Sequence, residues 1–143
     1  MTTVDAAASS IDDAKESLYE AVQSREREKY HRAVRHAQEA VELSLKALCW
    51  FHGLVPPKQH DIGAFVVREL SNAADASVLQ RMATFSRNLE KDRATSFYTT
   101  EFMVPKEKYT KSDADNAIDE AQFVVNEIAK ILTKAAGESG ITE

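Results

Sequence analysis

At 143 residues, with 43% hydrophobic and 29% charged content, the chain has the composition of one soluble globular domain long enough for a real core. The net charge of -5 argues against broad nonspecific polyanion binding. No apolar run approaches the roughly 18 residues of a membrane span. A single Cys49 excludes an internal disulfide and suits a reducing cytoplasm.

The first ten residues, MTTVDAAASS, have no basic start and no apolar core, so they are not read as a signal peptide. A first helix is predicted from about Val4 to about Gln23, with Ile11, Ala14, Leu18, Ala21 and Val22 as its apolar stripe. Residues 24–29, SREREK, form a polar joint, and a helical hairpin follows. Five cations, Arg25, Arg27, Lys29, Arg32 and Arg35, outnumber Glu26 and Glu28 in this stretch. It reads either as a solvated face with internal ion pairs or as a phosphate-binding rim with Tyr30, His31 and His36.

The second helix organises the chain. Tyr30, Val34, Ala37, Val41, Leu45 and Leu48 recur by threes and fours and share one face. Ala33, Ala40, Leu43, Ala47 and Trp50 lie round the side, which places this helix near the centre of a bundle. Cys49 falls among them as a packing residue. Gly53 suits a left-handed position just past the helix end, and Pro56 and Pro57 cannot prolong the helix.

Asp61 is expected to cap a short helix, IGAFVVREL, and His60 to satisfy a loop carbonyl. After the joint SNAADA, a helix from about Ser77 to about Lys91 buries Val78, Leu79, Met82, Phe85 and Leu89. Arg81, Arg87, Lys91 and Arg93 gather toward its end, where cations suit the helix dipole. Residues 92–111 lack a helical period and are rich in aromatics, with Phe97, Tyr98, Phe102 and Tyr109 beside Met103. Ser112 and Asp115 suggest a capping box for the last helix, whose seam is Ala114, Ile118, Ala121, Val125, Ile128 and Leu132. From Gly137 the chain reads as a frayed tail.

The pattern therefore predicts an all-α fold, an up-and-down bundle of four to five helices, one of them short, in a single domain over 1–143 with its core at about 4–136. No metal constellation, glycine-rich phosphate loop or nucleophile with an obvious base is visible, and no cofactor is expected.

The run AVRHAQEAVELSLKALCWFHGLVPPKQHDIG resembles the signature of the HEPN domain family. Ala40, Glu42, Leu45, Lys46, Ala47 and Leu48 match its helical core, and Gly53, Pro57, His60 and Asp61 follow in order. The similarity spans roughly residues 10–135, with Ala117, Ala121 and Val125 matching in the final helix. The resemblance implies a helical bundle, usually dimeric, often partnered by a minimal nucleotidyltransferase in a toxin–antitoxin-like system. Catalytic members are metal-independent ribonucleases carrying an Arg and then, a few residues on, a His; the Arg stabilises a phosphorane-like charge and the His moves a proton.

Here Arg93 stands at the corresponding place, no His follows His60, and Tyr98 occupies the fifth position after Arg93. Tyrosine, with a reference pKa of about 10, is a poor base at neutral pH. The expectation is thus a cytoplasmic, dimeric module that binds nucleotide, RNA or a nucleotidyltransferase without cutting RNA. Arg87, Lys91, Arg93 and Tyr98 are its candidate binding residues. The competing expectation is a ribonuclease using Arg93 with His60 or His36, and a third is a purely structural dimer.

Overall fold

The computed structural model describes residues 2–58, 62–97 and 108–141, with side chains described except at 89–97 and 135–141. Among these are five helices: α1 (Thr3–Glu26), α2 (Tyr30–Phe51), α3 (Ile62–Glu69), α4 (Ala76–Phe97) and α5 (Lys111–Ile141). The architecture is all-α, with no strand among the described residues.

The predicted stripe of α2 explains its place. Val34, Ala37, Val41, Leu45 and Leu48 are buried, and Tyr30 at its start is half-buried. Of the flanking set, Ala33, Ala40 and Ala47 are buried, while Leu43 and Trp50 are half-buried. Apolar contact on both sides lets α2 meet every other helix, most extensively α1 and then α5. Alanines take half of the buried positions of α1 (Ala7, Ala14, Ala21) and supply Ala114, Ala117 and Ala121 in α5. Their small side chains let the helices approach closely, and burial of Leu45, Leu48, Met82 and Ile128 fills the space between them.

α1 and α2 run antiparallel, as two cross-links show. Ser10 Oγ donates to the Leu43 carbonyl at 2.7 Å, and Ser17 Oγ donates to Glu39 Oε2 at 3.5 Å. α5 begins beside the end of α1, where Arg25 Nη1 donates to Asp115 Oδ1 at 3.1 Å. Buried Ser44 is satisfied by the Ala40 carbonyl of its own helix at 2.7 Å.

Two helix ends use the same device. After α2 the Leu54 N–H reaches the Cys49 carbonyl and the Gly53 N–H reaches the Trp50 carbonyl, each at 2.9 Å, with Gly53 at φ +76°. After α1 the Lys29 N–H reaches the Ser24 carbonyl at 2.8 Å and the Glu28 N–H the Arg25 carbonyl at 2.9 Å, with Glu28 at φ +61°. Both are paired closures through a left-handed residue, which satisfy carbonyls the helix leaves open.

Three expectations need correction. α4 continues to Phe97, six residues beyond the predicted end at Lys91, so 92–97 are helical rather than irregular. α5 is capped by Thr110 and Asp113, not Ser112 and Asp115. The Thr110 N–H donates to Asp113 Oδ2 at 2.8 Å and the Asp113 N–H to Thr110 Oγ1 at 3.2 Å. Asp113 is acceptable there because its short carboxylate still spans one turn back. Asp115 instead holds Arg25. Finally, α5 runs to Ile141, through Gly137 and the stretch expected to fray. The expected Asp61 cap, the His60 role and most of the aromatic segment, 98–107, lie outside the described residues. Tyr109, at the end of that segment, is buried.

α3 lies on α4, and their approach is close at one point. A Cβ on Gly63 would stand 2.8 Å from the Ala83 Cα, so the absent side chain is what lets the two backbones meet. α4 contacts α3 most, α2 less and α5 only sparsely.

Candidate functional site

Three of the candidate residues, Arg87, Lys91 and Arg93, belong to α4, whose apolar face turns inward and leaves its polar face outward. Leu79, Met82 and Ala83 are buried, while Gln80, Arg81, Thr84, Arg87 and Asn88 are exposed. Arg87 is thus placed on the solvent side of α4. Lys91 and Arg93 belong to the helical backbone of α4, but their side chains, and Tyr98 altogether, lie outside the described residues. The extension of α4 to Phe97 removes the dipole explanation for these cations. Its last turn contains no basic residue, and dipole attraction fades within that turn.

Arg81 separates from the others. Its guanidinium carbon lies 3.7 Å from the centroid of the Phe123 ring of α5 and 5.3 Å from that of Phe85. The two rings meet edge to face, with centroids 5.9 Å apart and planes at 87°. Such a stack combines ring quadrupole and cation with edge-to-face packing of the rings. Thr84 Oγ1 donates to the Gln80 carbonyl at 2.9 Å. By sequence Arg81 groups with the helix-end cations. The four-residue step to Phe85 is an available signal, but Phe123 comes from another helix and only folding brings it near.

In the basic joint between α1 and α2, one cation is tied by ion pairs and three lie on the solvent side. Arg25 pairs with Asp115 at 3.1 Å and more loosely with Glu26 at 3.6 Å. His31 and Arg35 are half-buried and engaged within the fold. Arg27, Lys29 and Arg32 are exposed. His36 Nδ1 lies 3.4 Å from Glu39 Oε2, the same oxygen that accepts from Ser17. That contact would hold the imidazole with Nδ1 toward the carboxylate.

Cys49 is fully buried, and desolvation pushes its thiol up to about 11. Burial in this way favours the protonated thiol at neutral pH and suits a packing residue. Lys46 keeps its ammonium near Glu42 at 3.3 Å, one helical turn away, with its stem along the α2 surface. Among the described residues, no three His, Cys, Asp or Glu side chains stand together as metal ligands would, and no helix is long and apolar enough to cross a membrane.

The fold is similar to that in the crystal structure of TT1696 from Thermus thermophilus, with a TM-score of 0.62 at 20% identity, covering 87% of this chain and 97% of that one. At that identity the likeness concerns the fold alone. A search of curated proteins finds no match. The family profile of the HEPN domain matches residues 7–132, nearly the whole of the bundle from α1 into α5. The chain therefore belongs to the HEPN domain family, a group of nucleotide- and RNA-related helical modules.

Proposed function

We propose that this HEPN domain binds nucleotide or RNA without cleaving it, using the polar side of α4, and that it works as a homodimer or as the partner of a minimal nucleotidyltransferase in a toxin–antitoxin-like system. The observation that carries this reading is a sequence one. Arg93 has no histidine after it, since the four His are 31, 36, 52 and 60. Phosphate contacts need only fixed cations, which α4 supplies, whereas transesterification also needs a proton acceptor of suitable pKa. The exposed setting of Arg87 and the helical setting of Lys91 and Arg93 support this reading.

The competing reading is a ribonuclease that uses Arg93 with a distant acceptor, His36 or His60. The contact of His36 with Glu39 is what favours it, because a carboxylate holding Nδ1–H leaves Nε2 as the accepting nitrogen.

One experiment separates the two. Purified protein is incubated with end-labelled single-stranded RNA in the presence of a chelator, and both retention and cleavage are followed. Retention without cleavage, weakened in Arg87→Ala and Arg93→Ala, is the expected result. Cleavage lost in both Arg93→Ala and His36→Ala overturns it in favour of the ribonuclease. Sedimentation at micromolar concentration tests the homodimer, and a nucleotidyltransferase reading frame beside this one would identify the partner.

A further inference from the structure

The seam between α4 and α5 contains a guanidinium already held in one place. A guanidinium is planar, with weakly hydrated faces and donor N–H groups at its edge. The guanidinium carbon of Arg81 stands over the Phe123 ring, 3.7 Å from its centroid, and lies 5.3 Å from the centroid of Phe85. The edge donors are not spent on an ion pair: among the described residues no carboxylate pairs with Arg81. The nearest acid along α5 on one side, Glu127, is engaged with Lys130 at 3.6 Å. On the other side, Asp119 is exposed, and Glu120, three residues before Phe123, is half-buried and engaged within the fold.

Two more polar groups share this side of α4. Thr84 and Asn88, three and seven residues after Arg81, are exposed and fall on the same helical face. The Thr84 hydroxyl is anchored on the Gln80 carbonyl at 2.9 Å. Arg81 itself is exposed, while Phe85 and Phe123 beneath it are half-buried.

We propose that Arg81, held over the Phe123 ring, is a receptor for a phosphate oxyanion, and that this seam binds the phosphate of a nucleotide or of single-stranded RNA. The inference rests on the nucleotide- and RNA-binding reading given above and adds a residue and a place to it. The chemistry is a fork of parallel N–H donors that matches two phosphate oxygens. The stack removes rotamer freedom before the ligand arrives, so less entropy is lost on binding than with a free surface arginine. A purely structural staple between α4 and α5 is the alternative, and it predicts a different response to substitution.

The test uses the full chain. Binding of a fluorescein-labelled single-stranded oligoribonucleotide is measured by anisotropy, and binding of adenosine monophosphate by calorimetry. Wild type is compared with Arg81→Ala, Arg81→Lys, Phe123→Leu and Arg87→Ala, with a thermal melt of each.

Arg81→Ala should weaken binding about tenfold, and the salt dependence should lose about one phosphate contact. Arg81→Lys, which keeps the charge but not the fork, should fall between. Phe123→Leu should also weaken binding although no charge has changed. Loss with both ligands points to a terminal phosphate, and loss with RNA alone to a strand phosphodiester. If Arg81→Ala and Phe123→Leu bind as wild type does while Arg87→Ala weakens binding, the Arg81 site is wrong and the binding function stands. If wild type binds neither ligand at millimolar concentration, both fall. Should Arg81→Ala melt too low to assay, Arg81→Lys decides: affinity equal to wild type refutes the fork.

Discussion

The ends of α1 and α2 close in the same way, and they differ in the residue that takes the left-handed conformation. At the end of α2 it is Gly53, at φ +76°, with nothing within 4 Å of where a Cβ would stand. At the end of α1 it is Glu28, at φ +61°. Glycine adopts this conformation freely, whereas any other L-residue brings its Cβ too close to the following carbonyl, at roughly 1–2 kcal/mol. The same hydrogen bonds are therefore made at both ends, but only one end is unstrained. The lesson is that α2 is terminated by its own residues, while α1 is terminated by what comes next. The packing of α2 back along α1, with the Arg25–Asp115 pair beside the turn, outweighs the local preference of Glu28.

Glycines and their absence can be used to test this contrast. The largest effect is expected from Gly63→Ala, where the issue is space rather than φ. The new Cβ would stand 2.8 Å from the Ala83 Cα, a backbone atom that cannot turn aside. Overpacking of this kind costs about 1–3 kcal/mol, and it should also shift α4 away from α3. Denaturant unfolding gives the first number. A parallel loss of RNA binding in the folded variant would show that α4 carries the site.

Gly53→Ala comes next. No clash is available, so the whole loss in denaturant unfolding, about 1 kcal/mol, should be conformational. A loss near zero would mean that Gly53 is not needed for its freedom, and the contrast between the two turns would fail.

The smallest effect has the opposite sign. Glu28→Gly should relieve the left-handed strain but raise the freedom of the unfolded chain, leaving a net gain of about 0.5 kcal/mol. An unchanged or lower unfolding midpoint would show that the Glu28 side chain makes some stabilising contact other than the turn itself.

The same contrast explains what can be read in advance. α2 is legible because three independent signals agree on it: an apolar face at helical spacing, a glycine at the stop and prolines after it. The HEPN signature lies in that same stretch, so fold and family emerge together. The short α3 and the seam of α5 are legible for similar reasons. α4 is harder. Its inner face is visible in Leu79, Met82 and Phe85, but the apolar period weakens after Lys91, although the helix continues to Phe97. The cap of α5 is ambiguous by two residues because Ser112 and Asp115 have the same spacing as Thr110 and Asp113. Spacing cannot say which pair faces the helix start and which carboxylate is taken by Arg25 from another helix.

The candidate cations on α4 are legible as a cluster, but their roles are not. Arg81, Arg87, Lys91 and Arg93 are alike in sequence. One of them is set apart by Phe123, which is 42 residues further along the chain than Arg81. By itself the chain determined helices, their buried faces and the stop at Gly53, because these depend on neighbours within a turn or two. Tertiary structure decided that Glu28 would bend left-handed, that Asp115 would hold Arg25 and that Arg81 would lie on Phe123. Each of those depends on how helices pack against one another, and such packing leaves no periodic mark in the sequence.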